Sequence, residues 1–161
     1  MENTFWEKYF KMKKAILLSG GYDSVACLIL QLTNDLDDFI FFDYGQSYLK
    51  EELKAIQYLE KVFEIEVKKI KVNWSTDVKN RNFMMISRLC ELGYDEVVLG
   101  TRNILPIFDK YKDSNWLSLK LYGLLLRVKI IMPVVMKSKI SIKEIITESL
   151  LDINKLYSTE K

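Results

Sequence analysis

Six consecutive residues, Ser19-Gly20-Gly21-Tyr22-Asp23-Ser24, hold the densest chemistry in the chain. They stand between a short apolar run, Ile16 to Leu18, and a helically spaced one from Val25 to Leu32. The chain has 6 glycines, and two of them are adjacent here. Glycine admits positive φ and lets a ligand come close to the backbone. Amides at the start of the following helix would point the same way, and the helix dipole favours an anion. Ser19 and Ser24 add hydroxyl donors. Asp23 does not attract phosphate by itself, so it either caps the helix or holds a Mg²⁺ that bridges phosphates. The plainer alternative is a tight strand-to-helix turn with an aspartate cap. The two serines, the aspartate and the strand–helix context favour anion binding. Adjacent glycines with no following Gly-Lys-Ser/Thr separate this loop from the other common phosphate loop.

Two further places put reactive groups where a ligand could meet them. Asp43 closes the apolar run "FIFFD" and is followed by Tyr44 and Gln46. An aspartate at a strand's carboxyl end suits a ribose hydroxyl, a metal or a simple turn. Arg81-Asn82 opens a helical stretch on the same expected rim. There Arg81 is either a solvated side chain or a bidentate hold on a carboxylate or phosphate. Histidine is absent and cysteine is limited to Cys27 and Cys90. That excludes Ser-His and Cys-His catalytic pairs and the usual zinc sets, and it fits a reducing, cytoplasmic setting. Cys27 follows the glycine-serine motif on a helix and Cys90 falls on a helical core stripe, and both read as small core residues.

Elements that could position these groups alternate along the chain. Strand candidates are Ala15–Ser19, Phe39–Asp43, Glu66–Val72, Glu96–Gly100 and Val128–Val135. Their continuous apolar character predicts strands buried on both faces. Helical stripes run through Val25-Leu28-Ile29-Leu32, Leu49-Leu53-Ile56-Leu59-Phe63, Phe83-Ile86-Leu89-Cys90, Leu117-Leu121-Leu124-Leu125 and Ile142-Ile145-Ile146-Leu150. Ser141 and Glu144 have capping-box spacing at the start of the last one. The alternation predicts a doubly wound α/β fold: a mainly parallel five-stranded sheet flanked by helices. Its ligand site should lie beyond the carboxyl ends of the strands, at the switch point.

Bulk properties agree with one such domain over residues 13–161, preceded by an N-terminal extension, residues 1–12. At 49% hydrophobic and 12% aromatic the chain is globular in composition. Its net charge of +2 makes no case for nucleic acid or a membrane surface. No apolar run reaches membrane-span length, and the N-terminus has no signal-peptide core. Aromatics such as Trp6, Trp74 and Trp116 serve either a core or a homodimer interface.

As a string, "SGGYDS" resembles the pyrophosphate loop of the N-type ATP pyrophosphatases, which split ATP between the α- and β-phosphates and adenylate an oxygen. "FDYGQ" and the Arg81-Asn82 pair narrow the resemblance to the 7-cyano-7-deazaguanine synthase (QueC) family. It spans about Lys13 to Leu151, strongest in the first half. It implies a Rossmann-like fold of the adenine nucleotide alpha hydrolase type. It also implies ATP and Mg²⁺, with a 7-deazaguanine carboxylic acid and ammonia converted to the nitrile. Carried over residue by residue, Ser19, Gly20, Gly21, Asp23 and Ser24 would hold phosphates and metal, with Asp43, Tyr44 and Gln46 on the adjacent rim. Asp23, Ser24 and Arg81 would serve catalysis. Arg81, Asn82, Asn103, Asp109, Tyr111 and Asp113 would meet the acid and its purine-like base. The segment "MKSKISIKEII" is similar to the family's Ser/Thr-Lys-x-Glu-Ile, with Ile142 in place of the lysine, so a phosphate role would pass to Lys139 or Lys143. Family members usually end in four zinc-binding cysteines, and the sequence stops at "LLDINKLYSTEK", about where that cluster would begin, so zinc is not expected. A related ligase joining the same acid to another amine, and a non-catalytic nucleotide-binding remnant of the fold, are the alternatives.

Overall fold

Five short runs rich in β-branched and aromatic residues pair as parallel strands, with helices returning the chain between them. A computed structural model describes residues 12–74, 80–102 and 115–157. The strands are β1 (Lys14–Leu17), β2 (Asp38–Asp43), β3 (Val67–Lys71), β4 (Glu96–Val98) and β5 (Lys129–Ile131). The helices are α1 (Tyr22–Gln31), α2 (Leu49–Phe63), α3 (Arg81–Glu91), α4 (Trp116–Leu126) and α5 (Lys139–Glu148). Sheet order is β3-β2-β1-β4-β5, and every pairing is parallel. The expected doubly wound α/β architecture is the one observed.

Side chains alternate across the sheet, so successive residues of one strand serve two cores. Ile16 and Leu18 pack with Phe41, Val98 and the buried stripes of α1, α2 and α5. Ala15 and Leu17 pack on the other side with Phe42, Val97, Ile86 of α3 and Leu119 of α4. Trp74 joins this second core, its ring stacked on Phe42 at 5.7 Å and on Tyr44 at 6.4 Å. Burial pushes the Cys27 thiol up to about 12, so it is an inert core group, whereas Cys90 is only half-buried.

Three local expectations need correction. β3 is an edge strand whose Lys68, Lys69 and Lys71 are exposed, so it is not buried on both faces. Charged residues on an edge deter pairing with another chain, which explains the lysines. The fifth strand is shorter than 128–135 because Pro133 has no amide to donate to a ladder. The last helix starts earlier than the Ser141–Glu144 capping box implies. Ser138 is its N-cap and accepts from the Ser141 amide at 3.1 Å, so Ser141 lies in the first turn. With Ser138 capping the Ser141 amide, the Glu144 amide that the Ser141 hydroxyl had been expected to cap lies inside the helix and is no longer a terminal donor.

Candidate functional site at the switch point of the sheet

The chain leaves β1 through α1 toward β2, but leaves β3 through α3 across to β4 on the far side of β1. Loops after β1 and β4 therefore diverge, and the crevice between them is where α/β sheets hold ligands. A cavity of about 340 Å³ opens there.

The loop after β1 forms one wall. The buried Ser24 hydroxyl donates to the Gly21 carbonyl at 2.9 Å and accepts from the Ser19 amide at 3.2 Å. The Gly21 amide donates to the Ser19 hydroxyl at 3.3 Å. Both serines thus brace the loop, and the Ser24 hydroxyl is engaged with the Gly21 carbonyl. The two glycines do different work. Gly20 has φ +72°, and a Cβ there would meet the Ala55 Cβ at 2.6 Å, so it lets the loop lie against α2. Gly21 has an ordinary φ of −77° and stands at the N-cap of α1, without a side-chain cap. Asp23 is therefore not the cap. It is in the first turn of α1, and its Oδ2 accepts from Arg102 Nε at 2.9 Å. Opposite, Gly100 at the exit of β4 allows that contact: a Cβ there would lie 2.7–2.8 Å from the Asp23 and Ser24 backbone.

On the other side of the crevice stands Arg81, the first residue of α3. Its Nη1 donates to the Tyr44 hydroxyl at 2.5 Å and to the Tyr48 hydroxyl at 3.3 Å. Tyr44 is held by Gln46, whose Oε1 accepts from the Tyr44 amide at 3.0 Å. Gln46 Nε2 donates to the Phe42 carbonyl and, at 2.6 Å, to Glu52 Oε2. Glu52 is 4% exposed and lines the cavity. Burial pushes its carboxyl up to about 7, against the opposing pull of Gln46 and Arg81. Tyr157 closes this side: its amide donates to the Gly20 carbonyl at 2.9 Å, and its ring stacks on Tyr48 at 4.9 Å.

The Glu52 shift has a measurable consequence. The folded chain keeps this proton to higher pH than the unfolded chain, whose carboxyl titrates at its ordinary value of 4.5. Between about 4.5 and about 7 the folded state binds more protons, so stability falls as pH rises through that window. The expected contribution is roughly 3 kcal/mol from end to end. Urea unfolding of wild type and Glu52→Gln from pH 4.5 to 8 checks it. The difference between the two proteins should carry this slope, and parallel curves would refute it.

Ser19, Gly21, Asp23, Ser24, Tyr44, Gln46, Arg81 and Asn82, of the residues singled out in the sequence, all line the cavity. Lys139 and Lys143 of α5 line it too, while Ile142 between them is also part of the buried core. Gly20 is behind the loop. Asp43 is outside the lining, and its Oδ1 accepts from the Gly45 amide at 3.0 Å, which is the turn alternative. Asn103, Asp109, Tyr111 and Asp113 lie outside the described residues, as does Trp6. Sequence reading missed Arg102, Tyr48, Glu52 and Tyr157. Arg102 alone carried a local signal, standing just past the glycine that ends the fourth strand candidate. Tyr22, the first residue of α1, packs on the core and lines the cavity, with Lys143 Nζ 6.0 Å from its ring centre.

Among the described residues the cavity's charged side chains are four cations, Arg81, Arg102, Lys139 and Lys143, against two carboxylates, Asp23 and Glu52. With Glu52 partly protonated at neutral pH, the field favours an anion. Among the described residues no helix is long and apolar enough to cross a membrane.

The chain is similar to known proteins in both sequence and fold. The chain is 34% identical over 74 residues to a 7-cyano-7-deazaguanine synthase of Methanosarcina barkeri, covering 45% of this chain and 32% of that protein. It is 43% identical over 54 residues to one from Ruthia magnifica, covering 33% and 23%. A third, from Methanococcus aeolicus, is 40% identical over 53 residues, covering 32% and 23%. The matches thus span about a third or less of those curated relatives. A solved structure described as a predicted subunit of tRNA methyltransferase from Methanocaldococcus jannaschii superposes with TM-score 0.56 at 15% identity. It covers 93% of this chain and 94% of that one, and shows the shared fold. The family model described as "Queuosine biosynthesis protein QueC" matches residues 13–99, more than half of the chain and the part holding the β1 loop, Tyr44, Gln46, Glu52 and Arg81. The chain belongs to the QueC family.

Proposed function

We propose that the chain adenylates the carboxylate of 7-carboxy-7-deazaguanine with ATP and replaces the adenylate with ammonia on the way to the nitrile. The observation that carries this reading is the joining, in one cavity, of the braced β1 loop and α1 N-terminus with Arg81. Two anions must meet for adenylation: a triphosphate and a carboxylate. The cavity has cations on both sides of the loop, Lys139 and Lys143 from α5 and Arg81 from α3.

ATP fits the donor set. First-turn amides of a helix lack intrahelical partners and face an anion placed at the N-terminus. The bare Gly21 allows phosphate to reach them. Mg²⁺ fits more narrowly: one or two carboxylates plus phosphate oxygens usually hold it, and Asp23 is the carboxylate beside the loop. The ion supplies charge neutralisation of the phosphates. Arg102 orients Asp23 through Oδ2.

Arg81 would receive the substrate carboxylate. Tyr44 and Tyr48 fix the guanidinium plane, so the charge is placed before substrate arrives. One carboxylate oxygen attacks the α-phosphate, pyrophosphate leaves, and the acid gains a good leaving group. Ammonia then displaces AMP to form an amide. A second activation of the amide oxygen and loss of AMP give the nitrile. Each acyl or imidoyl adenylate must be kept from water, which the buried Tyr44 and the Tyr48–Tyr157 stack help to exclude.

Incubation with ATP, Mg²⁺, 7-carboxy-7-deazaguanine and ammonium, read by mass spectrometry, tests the proposal. Nitrile and AMP are expected. Amide alone, or a conjugate to an added amine, would make the chain a related ligase. Bound ATP with no AMP under any of these conditions would overturn the proposal in favour of a nucleotide-binding role.

A further inference from the structure

Glu52 is a carboxylate that loop bracing and phosphate binding leave without a role. It projects from the first turn of α2 into the cavity and is 4% exposed. One oxygen, Oε2, accepts from Gln46 Nε2 at 2.6 Å. The groups facing it are Arg81 from α3, Tyr44 just after β2, Tyr48 at the N-cap of α2, and Tyr157 from the C-terminal segment, which also feels Glu51 of α2. Among the described residues its hydrogen-bond partner is the neutral Gln46 amide and no cation is in direct contact with it, so it is not held as a simple ion pair. Burying a carboxylate this way costs stability, which a purely structural anchor for Gln46 would not require, since a glutamine could anchor Gln46 as well.

We propose that Glu52 is the proton acceptor for the incoming ammonia. This rests on the proposed acyl adenylation and adds a residue to it. When ammonia attacks, its lone pair forms the C–N bond to the acyl carbon. The C–O bond to AMP breaks, and that electron pair leaves with the AMP phosphate. One N–H proton passes to the Glu52 carboxylate, so the product is a neutral amide, and Glu52 returns the proton to solvent before the next cycle. The same carboxylate can take an N–H proton when the amide, activated at oxygen, loses AMP to become the nitrile. A carboxyl that titrates at about 7 suits both directions, because at neutral pH it is neither fully charged nor fully neutral. Arg81, fixed to the two tyrosine hydroxyls, holds the acid beside it without neutralising it by direct contact.

The test separates the half-reactions in the full chain. Acid-dependent exchange of labelled pyrophosphate into ATP reports adenylation and needs no ammonia. Amide and nitrile release reports the nitrogen step. In Glu52→Gln, exchange should stay within about threefold of wild type while ammonia-dependent release falls by about 100-fold. The limb of the wild-type release profile near pH 7 should vanish. Hydroxylamine, a weakly basic nucleophile that is already deprotonated at neutral pH, should restore acyl transfer in the variant to within about tenfold of wild type. Glu52→Asp, which keeps the charge, should retain part of the release rate. Equal losses in exchange and release, or release at the wild-type rate, would overturn the role of Glu52. Absence of any acid-dependent exchange in the wild type would instead overturn the adenylation itself, and the inference would fall with it.

Discussion

Asp23→Ala is expected to lower AMP formation by about 100- to 1,000-fold while shifting the urea midpoint by less than about 1 kcal/mol of stability. The two halves of this result have separate causes. Asp23 and Arg102 are each about a third exposed, at 32% and 29%, so solvent screens their ion pair and its loss matters little to folding. Asp23 also lies in the first turn of α1, where removing a negative charge costs only tenths of a kcal/mol against the helix dipole. For the proposed chemistry the loss is large. Glu52 is engaged by Gln46, which among the described cavity residues leaves Asp23, beside the loop, as the carboxylate placed to hold a divalent cation against the phosphates. Arg102 would also lose its anchor and become a mobile charge beside the loop. Chromatographic AMP measurement alongside urea unfolding checks both halves. Normal turnover in the variant would remove Asp23 from the site.

Gly100→Ala should do the opposite and fail through the fold. A methyl group at that position would lie 2.7 Å from the Asp23 carbonyl carbon, 2.8 Å from its oxygen and 2.8 Å from the Ser24 amide nitrogen. These are backbone atoms of the first turn of α1, so no side chain can rotate away. Either β4 or the start of the helix has to move, and overpacking of this kind costs about 1–3 kcal/mol. For a chain of this size that is a fall of several degrees in Tm, on the order of 5 °C. Because the displaced atoms belong to the turn proposed to bind phosphate, activity should fall with stability, unlike in Asp23→Ala. Gly45→Ala is the matched control. Gly45 has φ +76° but nothing within 4 Å of its would-be Cβ, so only backbone strain of about 1 kcal/mol applies. Calorimetry on the two variants should rank Gly100→Ala as the more damaging, and the reverse order would disprove the close-approach account.

Much of the architecture is legible without coordinates because it depends on local pattern. Continuous apolar runs between helical stripes announce parallel strands and crossovers, and those imply a ligand crevice at strand ends. β3 breaks the pattern because the edge of a sheet is a property of strand order, which neighbouring residues do not encode. The early start of α5 has a similar origin in competition. Ser138 and Ser141 both suit a cap, and the outcome depended on which one met an amide.

The chemistry divides along the same line. The sequence by itself determined the loop, its helix and the arginine on the facing rim, since each needs only a few adjacent residues of the right type. Tertiary structure alone decided what those residues do. It turned Ser24 inward to brace Gly21, put Gly20 against Ala55 and left Asp43 as a turn. It joined Asp23 to Arg102 across 79 positions and Arg81 to Tyr44 across 37. It also buried Glu52 beside the cavity. The physical reason is that ion pairing, close approach and desolvation depend on neighbours distant in sequence. The switch in strand order sets β1 beside β4 and so brings Asp23 to Arg102, while the pairing of β2 with β3 brings Tyr44 to Arg81.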